Sequence, residues 1–254
     1  PERSRWDRLR GMLTSRHPDM ALRLRSSEYA QRLTDWLARE SFDVVQVEGI
    51  ELAPYMGVIE AAAQTPLVVF DDHNCEYLLQ RRVFLTDLPA PARWPGAAYS
   101  FVQWLRLVRY EAQVCRRADR VLAVSEADAA ALERLVPGLE PSVVPNGIDT
   151  RQYHPQAMEA TDEANSLVFT GTMDFRPNVD GVLWFVEKVL PLIEVEVPEV
   201  HFNIVGQRPH PRLDPLKDRP DVTLTGWVED VRPYITRAEI YVVPLRMGGG
   251  TRLK

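Results

Sequence analysis

Short apolar runs of four or five residues recur along the chain, separated by longer stretches with helical spacing. Val44-Val45-Gln46-Val47, Leu67-Val68-Val69-Phe70 and Val121-Leu122-Ala123-Val124 read as buried strands in the first half. Between them, Glu28 to Arg39 carries Tyr29, Leu33, Trp36 and Leu37 at helix spacing, and Leu52 to Ala63 continues the pattern. Ala97 to Arg117 is the longest helical stretch; its apolar stripe, Phe101, Trp104, Leu105, Val108 and Val114, is expected to face the core. Ser125 followed by Asp128 predicts a capped helix from Glu126 to Val136. Strands alternating with helices predict an α/β fold with a parallel sheet covered on both faces.

The alternation pauses and resumes. Ser142-Val143-Val144 is a short strand, and Pro145-Asn146-Gly147-Ile148-Asp149 follows it. Asn146 and Gly147 are expected to supply positive φ, and Ile148 to re-enter the core. Residues 151–165 lack apolar periodicity and form the expected linker. Leu167 to Thr170, His201 to Val205, Val222 to Thr225 and Ile240 to Val243 are the strands of a second α/β half, with helices from Pro177 to Leu190 and Val231 to Arg237. The expected division is residues 1–150 as a first domain and 166–254 as a second, with Asn146 and Gly147 as a hinge.

Three strands of the second half end at glycine: Gly171, Gly206 and Gly226. Glycine beyond a strand's carboxyl end lets a ligand approach the backbone. Gly248-Gly249-Gly250 with Arg252 and Lys254 has the makings of a diphosphate cradle, although it has neither Walker A nor dinucleotide-fingerprint order. In the first half, Asp71-Asp72-His73-Asn74-Cys75-Glu76 stands directly after a strand and is a site candidate. Asp71 and Asp72 should point to opposite faces, so they are not a paired acid and base. His73 and Glu76 are expected to share a helix face. A metal held by His73, Cys75 and Glu76 would match no closed zinc pattern.

Composition narrows the class. The 254 residues are 45% hydrophobic and 26% charged, with a net charge of −6, which disfavours a nucleic-acid binder. Two cysteines make no disulfide framework and suit a reducing cytoplasm. The first 26 residues interleave Arg3, Arg5, Arg8, Arg10, Arg16, Arg23 and Arg25 with Trp6, Leu9 and Leu13. Such a segment is either a solvated helix or a basic surface for anionic lipid head groups. The chain starts at Pro1, and it is expected to be trimmed.

Taken together, Phe70 to Glu76, Ala118 to Ser125, Val144 to Asp149, Gly226-Trp227-Val228, Pro244-Leu245 and the Gly248–Lys254 loop occur in an order that resembles the retaining, nucleotide-sugar-dependent glycosyltransferases of family 4. More narrowly, they resemble sugar transferases of bacterial exopolysaccharide systems. The resemblance implies a GT-B fold: two Rossmann-like domains facing across a cleft, both incomplete here. It implies His73 as the active-site histidine near the transferred sugar, with Asn74 and Glu76 on the acceptor side. Gly171, Thr172, Arg176, Gly206, Gly226, Trp227, Val228, Gly249, Gly250, Thr251, Arg252 and Lys254 would hold the nucleotide sugar. No metal or other cofactor is expected. The partners would be a nucleotide-sugar donor and a glycan or lipid-linked acceptor, in the cytoplasm or at the inner face of its membrane.

Two departures stand out. Thr172 follows Gly171 where the family usually has Arg, which leaves Arg176 as a substitute, and the family's glutamate pair is not seen, its first position falling near Gly249. The runners-up are another GT-B enzyme, such as a nucleotide-sugar epimerase, and a non-catalytic nucleotide-binding protein.

Overall fold

In a computed structural model the described residues are 4–151, 153 and 163–246. They form two compact units that meet between Asn146 and Gly147. In the first, α1 (Arg5–Thr14), α2 (Met20–Arg23) and α3 (Ser27–Arg39) lead into β1 (Val44–Glu48). A 3-10 turn, Ala53–Tyr55, precedes α4 (Met56–Glu60), then β2 (Leu67–Asp72), α5 (Glu76–Asp87), α6 (Trp94–Arg117), β3 (Arg120–Ala123), α7 (Glu126–Leu135) and β4 (Ser142–Val143). The four strands pair in parallel, in the order β1-β2-β3-β4.

The second unit holds β5 (Glu163–Thr170), α8 (Arg176–Lys188), α9 (Leu190–Glu196), β6 (His201–Val205), β7 (Val222–Gly226), α10 (Arg232–Arg237) and β8 (Ala238–Tyr241). Its sheet is also parallel, in the order β7-β6-β5-β8. The chain therefore winds outward from β5 through β7 and then returns to the other side of β5. A ligand crevice in such sheets opens where the direction reverses, beyond the strand ends. Here that point lies between β5 and β8.

Each unit has its own core. Val47, Ile50, Met56, Ile59, Phe70, Leu107 and Leu132 pack in the first. Phe169, Met173, Phe202, Ile204 and Leu213 pack in the second. Fully burying side chains of this size contributes roughly 1.5–3 kcal/mol apiece, so both sheets are held chiefly by apolar burial.

The segment before α3 is fastened differently. Arg106 of α6 donates to the carbonyls of Gly11, Met12 and His17, and Gln103 accepts from the amide of Asp19 at 2.7 Å. The Tyr55 hydroxyl accepts from Ser26 N at 2.8 Å and donates to Leu24 O at 2.6 Å.

Several expectations are corrected. The helix foreseen over 52–63 shrinks to α4, because Pro54 takes the first residues into a 3-10 turn. β5 begins at Glu163, inside the stretch expected to be linker, and the last strand ends at Tyr241. Neither Asn146 nor Gly147 has positive φ, and Ile148 is 59% exposed and not in the core. Helix α6 is rotated from most of its expected face: Val114 is buried as expected, but Phe101 and Leu105 are exposed, while Ser100, Gln103, Leu107 and Glu111 are buried. Phe101 and Trp104 pack on Phe84 of α5, so the aromatic stripe serves a helix pair and leaves the sheet to another face.

Candidate active site

At the carboxyl ends of β1 and β2, the chain makes two turns side by side. Gly49 turns with φ +75°, a left-handed conformation that suits glycine, and its amide bonds to Asp71 O at 2.9 Å. Asp71 and Asp72 point to opposite faces, as alternation in a strand requires. The Asp71 carboxylate accepts from Gln46 Nε2 at 2.8 Å and stands 3.5 Å from His73 Nδ1. That is electrostatic contact more than a tight hydrogen bond. It favours the proton on Nδ1 and leaves Nε2 as the acceptor. The His73 ring is half exposed, so Nε2 chemistry is open to a ligand.

His73 and Asn74 lie in the bend before α5, and Glu76 is the first residue of that helix. His73 and Glu76 therefore do not share a helix face, which corrects the expectation. Glu76 is half buried, and desolvation, with Glu111 and Glu51 nearby, pushes its pKa up to about 8. At neutral pH it is mostly protonated and can donate a hydrogen bond. Arg23 and Glu51 join the rim, 3.9 Å apart.

Beneath this turn Asp72, part of the cluster read from the sequence, meets Glu111, which sequence reasoning missed. Glu111, fully buried on α6, accepts from the amides of Glu76 and Tyr77, each at 2.8 Å. Asp72 is 1% exposed, and burial, then Glu111, raise its pKa well above the carboxylate range. Burial also raises the thiols of Cys75 and Cys115. The signal for Glu111 was available: residues 107, 111, 114 and 115 share one helix face, and its other three members are apolar. Asp72, Cys75 and Glu111 bring ligand atoms within 4.8 Å of one another. Both Glu111 oxygens already accept from amides, and burial disfavours the charged forms of Asp72 and Cys75 that would bind a metal, so this donor set does not suit one. Among the described residues, His73, Cys75 and Glu76 form no such group.

In the second unit, Gly171 follows β5 and Gly206 follows β6. Gly171 N bonds to Val205 O at 3.0 Å and Met173 N to Gln207 O at 2.8 Å, so the parallel ladder continues into the loops. A Cβ on Gly206 would lie 1.7 Å from Gly171 O, so only glycine lets the loops close this tightly. The Thr172 carbonyl accepts from the buried Asn178 side chain at 2.9 Å, which ties the loop to α8. Arg176 is exposed at the start of α8. Gly226 ends β7 with φ +72°, Trp227 is 70% exposed and Val228 is half buried. Beyond β8, the Arg246 guanidinium bonds to Asp180 of α8 at 2.7 Å and lies over Trp184. Gly181 lets the chain pass close by, because a Cβ there would meet Pro244 O at 2.7 Å. Gly171, Thr172 and the 244–246 segment thus flank the switch point between β5 and β8. The expected cradle residues Gly249, Gly250, Thr251, Arg252 and Lys254 lie outside the described residues.

Known proteins resemble this arrangement. A structure of TarM aligns with a TM-score of 0.60 at 10% identity, over 84% of this chain and 39% of that one. An OtsA apo structure aligns at 0.54 and 11% identity, over 94% and 57%. A trehalose-6-phosphate synthase structure from work on glycosyl transfer with retention aligns at 0.51 and 14%, over 93% and 56%. The chain thus spans between 39% and 57% of the length of these structures. Identities this low speak for the fold alone, an α/β fold with two parallel sheets of GT-B type. No curated protein matches. The family model described as glycosyl transferases group 1 matches residues 164–254, and Glycosyltransferase Family 4 matches residues 1–152. The chain belongs to glycosyltransferase family 4.

Proposed function

We propose that the chain transfers a sugar, with retention, from a nucleotide-sugar donor to a glycan or lipid-linked acceptor in exopolysaccharide or cell-surface glycan synthesis. The observation that carries this reading is the stitched pair of loops at Gly171 and Gly206, beside the switch point of a parallel sheet, in a chain of this family. In this reading the donor lies along Gly171, Thr172, Arg176, Gly206, Gly226 and Val228, with its base against the exposed face of Trp227. Gly249, Gly250, Thr251, Arg252 and Lys254 take the diphosphate.

Leaving-group charge is the main demand on the site. Arg252, Lys254 and loop amides meet it electrostatically, so no metal is invoked. The anomeric carbon gains positive character as the bond to the diphosphate breaks. His73, with Asp71 beside its Nδ1, is the catalytic residue of this reading. Asn74 and the protonated Glu76 hold the acceptor. The reading includes a cytoplasmic location, with the arginine-rich first helix touching the inner membrane face. Among the described residues no helix is long and apolar enough to cross a membrane.

A thermal-shift panel of UDP, GDP, ADP and their sugars tests the donor site, since a ligand that binds only the folded state raises the melting temperature. A flat response to every nucleotide would sink the donor assignment. A shift that survives joint replacement of Arg252 and Lys254 by alanine would sink the diphosphate assignment. Release of free nucleoside diphosphate with a glycosylated acceptor separates transfer from epimerisation.

A further inference from the structure

We propose that Glu111 is a positioning residue for the acceptor-side turn: its carboxylate, sharing one proton with Asp72, locks the start of α5 and so sets where His73, Asn74 and Glu76 stand. The inference rests on the reading that this turn is the acceptor-side site.

Three observations carry it. First, α5 has no capping side chain of its own, because its N-cap is Cys75 and makes no cap bond. The first amides of a helix need acceptors from elsewhere. Glu111, 35 residues further on, supplies one to each of two consecutive amides. A carboxylate at this end also meets the positive end of the helix dipole. Second, both oxygens of the buried Asp72 carboxyl have no conventional hydrogen-bond partner, and they stand beside Glu111. Two buried carboxylates side by side repel each other and are desolvated. A single proton resolves both problems: the Asp72 hydroxyl donates to Glu111, which stays anionic and keeps its two amides. Third, the groups facing the pair add no positive charge to it. They are Cys75, Glu76 and Tyr77 at the start of α5, Cys115 on α6 and Asp128 at the start of α7. The nearby cations act on the outer members: Arg134 on Tyr77, Arg116 on Cys115 and Arg23 on Glu76. The anion is therefore held by amides and a shared proton, and acid that adds a second proton removes the charge that grips α5.

The test uses the whole chain and needs no substrate. Infrared difference spectra at pH 8, recorded in a Glu76→Gln background so that the Glu76 carboxyl is silent, should show a buried protonated-carboxyl band that Asp72→Asn abolishes. Amide exchange at Glu76 and Tyr77, corrected for intrinsic rates, should quicken about tenfold or more in Glu111→Gln. In Asp72→Asn it should hold, because the new amide donates where the acid proton did. Wild-type protection against local opening, which frees the two amides while Glu111 stays buried, should fall as pH drops through neutrality, and this dependence should vanish in Glu111→Gln. The His73 ring resonances should shift in Glu111→Gln and stay in place in Asp72→Asn. A carboxyl band that persists in Asp72→Asn, unchanged exchange in Glu111→Gln, or an unmoved His73 ring each overturns the proposal. Should Glu111→Gln fail to fold, the Asp72→Asn band and the wild-type pH profile still decide. Absent transfer activity would count against the functional reading alone, since none of these measurements involves a donor.

Discussion

Replacing Gly206 with alanine should loosen one loop pair and leave the first unit untouched. The added Cβ would sit 1.7 Å from Gly171 O, where ordinary contact needs about twice that, and the obstacle is backbone that no rotamer change can move aside. The loops must part by more than an ångström. Parting them lengthens or breaks Gly171 N to Val205 O and Met173 N to Gln207 O, two bonds of 3.0 and 2.8 Å. Each backbone bond is worth about 0.5–1.5 kcal/mol net, and forcing a group into packed space costs a further 1–3 kcal/mol or so. The sum is roughly 2–6 kcal/mol, localised at the ends of β5 and β6. Gly138→Ala is the control: φ is +86° there, but nothing lies within 4 Å of the new Cβ, so only backbone strain of about 1–2 kcal/mol applies. Amide exchange resolved by peptide separates the two variants. Gly206→Ala should speed exchange at Gly171 and Met173 by about 30-fold or more, at 1.4 kcal/mol per tenfold, with β1 and β2 unchanged. If those two amides keep wild-type protection, or if Gly138→Ala costs as much, the crowding argument is wrong.

Other perturbations probe the rest of the molecule. His73→Ala should lower transfer turnover by about 100-fold or more while shifting unfolding by less than about 0.5 kcal/mol, because a half-exposed ring contributes little packing; equal losses of stability and activity would speak against a catalytic role. Burial raises the pKa values of Asp72, Glu111 (to about 7) and Glu76 (to about 8) above their unfolded values, so the folded chain keeps protons that the unfolded chain releases. First-unit stability should therefore fall as pH rises from about 5 to 8, by about 1.4 kcal/mol per pH unit for each retained proton. Asp72→Asn removes one such group, and its stabilising effect in urea unfolding should grow with pH; a pH-independent difference would contradict the assignment. Arg246→Ala should cost the second unit about 1–3 kcal/mol by removing a charged hydrogen bond to the buried Asp180, and calorimetry that finds no loss would demote the clasp to a surface contact.

The strands were legible because four-residue apolar runs bounded by polar turns leave little else to form. Ser125 announced its cap, and its side chain does accept from Asp128 N at 3.1 Å. The glycines after β5 and β6 were visible as punctuation, but their mutual contact was not, since nothing in a linear sequence says which two turns touch. A helix was anticipated at His73 and Glu76, but the extent of α5 escaped notice because its apolar residues are spread around the helix, where α6 covers it, and leave no single stripe. The rotation of α6 was missed for a related reason. Aromatic residues outweigh Gln103 and Glu111 in any hydrophobic count, yet those two polar residues are buried because their positions are set by bonding partners as well as by hydropathy. The polar turn after β2 was visible in the sequence, while its foundation on α6 was missed although Glu111 shares a helix face with Leu107, Val114 and Cys115.

The fastening of the first 26 residues has an evolutionary consequence. Arg106, Gln103 and Tyr55 hold that strap by its main-chain carbonyls and amides, at Gly11, Met12, His17, Asp19, Leu24 and Ser26. Contacts of this kind are blind to side-chain identity. At its exposed positions the strap can therefore accumulate substitutions without losing its seat, while the buried Asp19 and Ala21, Met20 on the core and His17 against Tyr110 stay constrained. Its outward side chains, Trp6 and Leu13 among them, are open to selection for a changing neighbour while the rest of the unit stays as it is.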